Sequence, residues 1–166
     1  MIKLDTYCLE KLDIYGRHYS LLQGMSMDKK IQLYIARDFL KYLSEYQAVS
    51  DDKIEVGKMY AFIKGDREIG IVGSTKMDSE GILDVIYAIK KSERGKGHGA
   101  NILNEITNYY LNNIEGIKGI KLVIDEVNKE SIGTAKLNGY EKVGINLEGN
   151  VGEWYYSKDV ESRLRK

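Results

Sequence analysis

Residues 87–100 read YAIKKSERGKGHGA: a strand-like run enters a turn with three alternating glycines, and an amphipathic helix follows. Glycines let the backbone approach a ligand closely, and the first amides of a helix point outward with the positive end of the helix dipole behind them. Because this geometry binds phosphate groups, the stretch predicts a phosphate or pyrophosphate site. Four basic residues add local positive charge: Lys90, Lys91, Arg94 and Lys96.

The elements around this loop predict an α+β fold. Before the loop, three strand-like runs separated by turn-like residues predict an antiparallel meander over 58–64, 68–76 and 81–89. After it, a helix over 97–112 and an apolar strand over 120–127 predict a strand-helix-strand crossover, which favours parallel pairing of the two strands. A short helix and two strands are predicted over 130–137, 140–147 and 153–157.

The first 57 residues have a different pattern. Apolar residues recur at helical spacing over 28–46, and Ser26 stands where an N-cap would be expected. No repeat, low-complexity segment or linker interrupts the chain, so we expect one domain over 1–166. The predicted fold is a mixed, mostly antiparallel central sheet with N-terminal helices and the crossover that carries the loop.

Composition excludes several classes of function. The chain has 166 residues, 43% hydrophobic and 30% charged, with 25 basic and 25 acidic side chains, so it has no broad basic surface for nucleic acid. Its apolar runs are far shorter than the roughly 18 to 20 residues of a membrane span, and no signal layout begins it, which predicts a cytoplasmic protein without a membrane partner. One cysteine and two histidines predict no disulfide and no metal site.

Two other nucleotide-binding patterns compete for the glycine loop. A P-loop requires Gly-Lys-Ser/Thr after a glycine and four residues, and the sequence contains no such string. The Rossmann pattern G-x-G-x-x-G/A is matched by Gly95, Gly97 and Ala100. A Rossmann unit opens a parallel sheet, however, whereas this loop follows a meander, so the surrounding order argues against it.

Two motifs in order resemble the GNAT superfamily of acetyl-CoA-dependent N-acetyltransferases. Residues 94–99, RGKGHG, resemble the family's R/Q-x-x-G-x-G/A pyrophosphate loop. About 30 residues later, the strand LVIDEV is followed by Asn128, Ser131 and then NGYE over 138–141, similar to the family's Asn-x-x-Ser/Ala, helix and Gly-Tyr step. This second motif is closest to the branch of ribosomal-protein N-terminal acetyltransferases. The resemblance implies a GNAT-like acyl-CoA N-acyltransferase fold, with a helical substrate-side region over 1–57 and a cofactor-binding core over 58–157.

The resemblance also implies where acetyl-CoA would bind. The backbone at 87–89 would pair with the pantetheine arm where two parallel strands splay, the loop amides would hold the pyrophosphate, and Asn128 would contact the arm. We expect the imidazole of His98 to face solvent while its amide contacts the ligand. The predicted cofactor-binding residues are Tyr87, Ala88, Ile89, Arg94, Gly95, Lys96, Gly97, His98, Gly99, Ala100 and Asn128.

The catalytic residues are less clearly marked. Many family members carry a tyrosine seven residues after the asparagine, thought to protonate the departing thiolate, but this chain has Ala135 there. In the branch that the second motif resembles, a serine is the favoured proton donor, and Ser131 is the candidate here. The candidates for the general base are Asp84, on the strand that leads into the loop, and Glu126, which is two residues before Asn128 and is therefore expected on the same face of its strand.

The predicted function is acetyl transfer from acetyl-CoA to a primary amine by direct attack on the thioester. The acceptor would be a protein N-terminus or a small molecule, and the chain could act as a monomer or a homodimer. A non-catalytic acyl-CoA-binding module is a second hypothesis, because Ala135 cannot donate a proton. A nucleotide-linked oxidoreductase or another dinucleotide-binding protein that uses the same loop is a third.

Overall fold

The computed structural model describes residues 1–146 and 151–158 and shows an α+β fold. The strands are β1 (Ile2–Lys3), β2 (Cys8–Lys11), β3 (Met59–Lys64), β4 (Arg67–Met77), β5 (Ile82–Ile89), β6 (Gly119–Asp125), β7 (Glu141–Asn146) and β8 (Val151–Ser157). The helices are α1 (Tyr19–Ser26), α2 (Lys29–Tyr34), α3 (Phe39–Ser44), α4 (His98–Asn113) and α5 (Lys129–Leu137). The predicted strand to Leu147 ends at residue 146, and Leu147 lies outside the described residues.

All eight strands form one sheet in the order β1-β2-β3-β4-β5-β6-β8-β7. Strands β5 and β6 are parallel, and the other neighbouring strands of the described chain are antiparallel. The predicted mixed, mostly antiparallel sheet is therefore confirmed. The chain runs from β5 through α4 to β6, which is the predicted crossover.

Helices cover both faces of this sheet. Because successive strand residues point to opposite faces, neighbouring residues of one strand belong to different cores. On one face, Tyr60 and Phe62 of β3 belong to a core that includes the apolar stripe of α4. On the other face, Met59 and Ala61 belong to a second core, which the buried residues of α1, α2 and α3 complete. The crossover that carries the glycine loop and the N-terminal helices therefore lie on opposite sides of the sheet.

Strands β5 and β6 pair only over their first residues. Ile82, Leu83 and Asp84 pair with residues 119–121, after which the two strands have no further paired positions. Strand β6 continues along β8 through Asp125, and β5 continues along β4 to Ile89. The two strands thus diverge, and within residues 1–146 and 151–158 the edge of β5 that faces β6 has no strand partner beyond Asp84.

The N-terminal region differs from its prediction in three ways. It contains strands β1 and β2 as well as helices, and β2 pairs with β3, so residues 1–57 contribute to the sheet. The single helix expected over 28–46 is two helices, since the side chain of Asp38 accepts a hydrogen bond from the Lys41 amide and starts α3 anew. Asp28, not Ser26, caps α2, because its carboxylate accepts from the Lys30 amide. Ser26 instead ends α1, and its hydroxyl donates to the Gln23 carbonyl.

Gly70 lets β4 approach the end of β5 closely. A Cβ atom at this position would collide with the carbonyl oxygen of Ala88 and press on the ring of Phe62. Next to it, the amide of Lys90 donates to the Ile69 carbonyl at 2.9 Å, which fixes the point where β5 ends and the loop begins. The glycine therefore sets the position of the strand end that carries the loop.

Replacing Gly70 with alanine should lower the free energy of unfolding by about 3 kcal/mol, because backbone atoms of β5 cannot move aside at low cost. Urea denaturation measures the effect. The matched control is Gly24→Ala in the exposed part of α1, where the described chain, apart from the helix's own backbone and the two adjacent residues, has no atom within 4 Å of the added Cβ. Helix propensity predicts a gain of up to about 1 kcal/mol for this variant. Equal stabilities of the two variants would contradict the assigned close approach.

Candidate functional site

The glycine loop has the backbone geometry of an anion site. After β5 the chain makes a single 3-10 turn, Lys91–Glu93, and then passes Gly95 at φ +74° and Gly97 at φ +83° before α4 begins. Positive φ is the region that favours glycine, and no atom of the described chain lies within 4 Å of a Cβ built on either residue. Within the described residues no side chain caps α4, so its first-turn amides keep their hydrogens free for a ligand.

The loop and the free edge of β5 open into the same cleft. This cleft has a volume of about 460 Å³ and is bounded by the end of β5, the loop, the start of α4, one face of α5 and part of α2. The predicted cofactor-binding residues line it, with the exception of Lys96, and so does Ser131. The structure thus brings the two sequence motifs together, although the roles of these residues stay predictions.

Asp84 and Glu126 lie outside this cleft, and each is held by a lysine. The Asp84 carboxylate is 3.5 Å from the ammonium of Lys121 on the neighbouring strand. Glu126 follows the end of β6, and its carboxylate is 2.6 Å from the ammonium of Lys142. The expectation that Glu126 shares a strand face with Asn128 is wrong, because β6 ends at Asp125 and a turn follows.

Three hydroxyl groups lie together between β5 and α5. The Tyr87 Oη is 3.1 Å from Ser131 Oγ, and both residues line the cleft with Thr134, one turn further along α5. Burial raises the pKa of the Tyr87 phenol, while its hydrogen bonds with Ser131 and Thr134 lower it by less. The phenol therefore stays protonated at neutral pH. No local pattern predicts this contact, because it joins two elements that are separated in the chain by α4 and β6.

The side chain of His98 is buried, contrary to the expectation that it faces solvent. Only 5% of the residue is exposed, and Nδ1 is 2.7 Å from the hydroxyl of Tyr7, which follows β1. Within the described chain Nε2 is buried without a hydrogen-bond partner. Burial lowers the pKa of His98, Glu93 opposes this, and the cations Lys64, Arg67 and Lys96 lower it further, so the imidazole is neutral at pH 7.

A buried carboxylate lies beneath the loop and pairs with two cations. Glu93 is 6% exposed, with Oε1 at 3.1 Å from an Arg67 nitrogen and Oε2 at 3.4 Å from the Lys96 ammonium. Burial alone would raise the pKa of Glu93, but the charges of Arg67 and Lys96 outweigh it and hold the pKa below the ordinary value. This pairing turns the ammonium of Lys96 toward Glu93, and Lys96 does not line the cleft.

Helix α2 forms the outer wall of the cleft, which sequence patterns did not predict. Arg94 of the loop lies 2.7 Å from the carboxylate of Asp28, the residue that caps α2. Near the other wall, the Lys30 ammonium is 3.6 Å from the carboxylate of Glu130 on α5. The N-terminal region is therefore joined to both sides of the predicted cofactor site. Only the helical pattern and the charges of these residues were visible in the sequence, not their partners.

Two negative observations hold for residues 1–146 and 151–158. No group of three His, Cys, Asp or Glu side chains in this range is arranged to hold a metal ion. None of the helices described combines the length and apolar character needed to cross a bilayer.

Solved structures share the fold of this chain. The GNAT-family acetyltransferase from Bacillus anthracis superimposes with a TM-score of 0.72 at 14% identity, covering 95% of this chain and 98% of its own. Spermidine N-acetyltransferase from Vibrio cholerae, solved with CoA and spermine, gives 0.74 at 14% identity, covering 96% and 99%. The ribosomal L7/L12 N-terminal acetyltransferase RimL, solved with CoA, gives 0.71 at 13% identity, covering 93% and 98%.

These likenesses cover nearly the full length of both partners, so the predicted GNAT-like fold is confirmed. No protein-family model matches the sequence, and no curated protein sequence matches it either.

Replacing Glu93 with glutamine should destabilise the protein at neutral pH, because Arg67 and Lys96 lose their anionic partner. The folded-state pKa of Glu93 lies below the ordinary value of 4.5. Its charge therefore stabilises the fold above that value, and the contribution is lost as pH falls through the folded-state pKa. The stability difference between parent and variant, measured by urea denaturation from about pH 7 down to about pH 3, should shrink toward zero.

The control for this series is Glu115→Gln, which removes an exposed carboxylate. We expect that variant to stay close to the parent at every pH, as exposed charges contribute little. A Glu93→Gln difference that is the same at all pH values would contradict the assigned ion pairs.

Proposed function

We propose that this protein is an N-acetyltransferase that moves the acetyl group of acetyl-CoA to a primary amine. One observation carries the proposal: an uncapped helix start behind a glycine loop and an unpaired strand edge open into a single cleft. The first suits a diphosphate, and the second suits an extended chain with amide groups, such as the pantetheine arm. The solved structures that share the fold include acetyltransferases with bound CoA, which supports the same assignment.

The residues present fit acetyl-CoA. The left-handed Gly97 leaves open space where a side chain would otherwise stand, so phosphate oxygens can approach the amides of 98–100. The edge of β5 at 87–89 offers backbone amides and carbonyls to the arm, and a buried polar backbone group requires such a partner. Asn128 lines the cleft on the opposite side, although its side-chain oxygen also accepts from the Ser131 amide at 3.4 Å.

The chemistry follows from these groups. Acetyl-CoA supplies a thioester whose carbonyl carbon a neutral amine can attack. Free amides at the β5 edge can donate to the carbonyl oxygen as it gains negative charge. Ser131 Oγ, which lines the cleft, is the proton donor that we assign to the departing sulfur.

The candidates for the general base are Asp84 and Glu126. Since Asp84 and Glu126 are each paired with a lysine outside the cleft, either carboxylate would have to act through a water molecule. The acceptor is an amine on a protein N-terminus or on a small molecule, the two classes represented by the RimL and spermidine acetyltransferase structures.

Release of free thiol from acetyl-CoA in the presence of a panel of peptides and small amines tests the function. Gly97→Asp should abolish transfer and CoA binding, because a carboxylate would meet the phosphates. The matched control is Gly97→Asn, which places a side chain of the same size without charge at a left-handed position that asparagine tolerates. We expect Gly97→Asn to retain more affinity in calorimetry than Gly97→Asp.

Each outcome of this experiment has a distinct meaning. Unchanged CoA affinity in folded Gly97→Asp would show that the loop is not the pyrophosphate site. CoA binding without thiol release for any amine would favour the non-catalytic binding module. A thermal shift with NAD but not with CoA would favour the dinucleotide-binding alternative.

Ser131→Ala should lower turnover by roughly a hundredfold and change the Michaelis constant for acetyl-CoA much less, because a proton donor acts in the transition state. The alternative is that Ser131 only supports the start of α5. Asn128, however, occupies the N-cap position, so removing the Ser131 hydroxyl should cost only about 1 kcal/mol of stability. Ser131→Thr, which keeps a hydroxyl, is the control. A destabilised Ser131→Ala variant with parental turnover would overturn the assignment.

A further inference from the structure

The hydroxyl of Tyr87 approaches Ser131 from the floor of the cleft. Its Oη lies 3.1 Å from Ser131 Oγ, a distance that places one hydrogen between the two oxygens. Tyr87 is on β5, whereas Ser131 is in the first turn of α5. This hydrogen bond therefore links β5 to α5, the helix that follows β6.

The direction of this hydrogen bond follows from the chemistry of the two groups. A phenol is the more acidic hydroxyl and the better donor, and a serine oxygen accepts readily through its lone pairs. Burial keeps Tyr87 protonated, so its hydrogen is present over the neutral pH range. With Tyr87 as donor, the hydrogen of Ser131 is free to point away from the phenol.

Tyr87 contacts the hydroxyls of Ser131 and Thr134, and its distance to Ser131 Oγ, 3.1 Å, is that of a direct hydrogen bond. The amide of Ser131 is occupied by the side chain of Asn128. Ala135, one turn further along α5, is completely buried in the core between α5 and the sheet, so that position faces away from the cleft. The face of α5 that lines the cleft carries Ser131 and Thr134 instead.

We propose that Tyr87 is a positioning residue, whose hydroxyl donates to Ser131 Oγ and so directs the serine's own proton toward the departing sulfur. The inference rests on the proposed acetyl transfer. In that step the carbon–sulfur bond breaks and its electron pair goes to sulfur, which takes the proton from Ser131. The proton that the acceptor nitrogen loses on forming the amide restores the serine hydroxyl, so no other reactant is consumed.

A double-mutant cycle with Tyr87→Phe and Ser131→Ala tests this role. Tyr87→Phe keeps the ring that packs against the core and removes the hydroxyl that contacts Ser131 and Thr134. We expect kcat to fall roughly tenfold, as for the loss of one hydrogen bond in the transition state, with the Michaelis constant for acetyl-CoA changed less than about twofold. In the Ser131→Ala background the same change should have almost no effect.

The matched control is Tyr140→Phe. The Tyr140 hydroxyl is also buried and lies 2.7 Å from a hydroxyl, that of Thr107, but neither residue lines the cleft. This variant should lose stability and keep the parental kcat. Comparison of melting temperatures and kcat across the two variants separates a role in chemistry from a role in packing.

The outcomes distinguish failure of this inference from failure of the proposed function. If the parent protein releases no thiol with any amine, the proposed function fails and the inference fails with it. If the parent is active but the effects of the two substitutions on kcat are independent and multiply in the double variant, Tyr87 does not act through Ser131. If Tyr87→Phe abolishes the activity that Ser131→Ala retains, Tyr87 is itself the donor, which also overturns the positioning role.

Discussion

Three residue pairs hold β5 and β6 together, and the candidate site lies beyond the last of them. Each strand continues along its antiparallel neighbour, so the two diverge without loss of the sheet on either side. Within the described residues, divergence leaves the amides and carbonyls of β5 that face β6 without a strand partner beyond Asp84, and such groups require another hydrogen-bond partner. An extended ligand with amide groups satisfies that requirement. The same divergence leaves room for α5 to place Ser131 opposite the strand, so the binding edge and the proposed proton donor arise from one topological feature.

The positive potential of the loop comes from its backbone more than from its side chains. Arg94 is paired with Asp28, and Lys96 is paired with Glu93, so two of the four cations that the sequence placed here are already partly neutralised. The amides at the start of α4 and the helix dipole remain, and both are directed into the cleft by the backbone of the loop. Glu93 holds this backbone in place by its ion pairs with Lys96 of the loop and Arg67 of β4.

Local patterns in the sequence predicted the meander, the crossover and the glycine loop correctly, because each is governed by strand alternation, helix periodicity or turn chemistry within a few residues. The strand β2 was missed because it has only four residues, too few for an alternating pattern to be recognised. The burial of His98 and the position of Tyr87 against Ser131 could not be predicted, since both depend on side chains that meet across elements far apart in the chain. Glu126 was misplaced for a local reason: the turn after Asp125 changes the direction in which the following side chains point.

The way α2 is held defines how the N-terminal region contributes to the cleft. The Lys30–Glu130 pair is exposed on both sides, and exposed pairs contribute about 0 to 1 kcal/mol. The Asp28–Arg94 pair is better shielded, with Asp28 only 7% exposed, and the adjacent Ile31 is buried in the second core. The ion pair that joins α2 to the loop is therefore stronger than the one that joins α2 to α5. Because Arg94 belongs to the predicted pyrophosphate loop, a phosphate that draws on its charge also competes with Asp28. The predicted cofactor site and the wall on its outer side thus share one guanidinium.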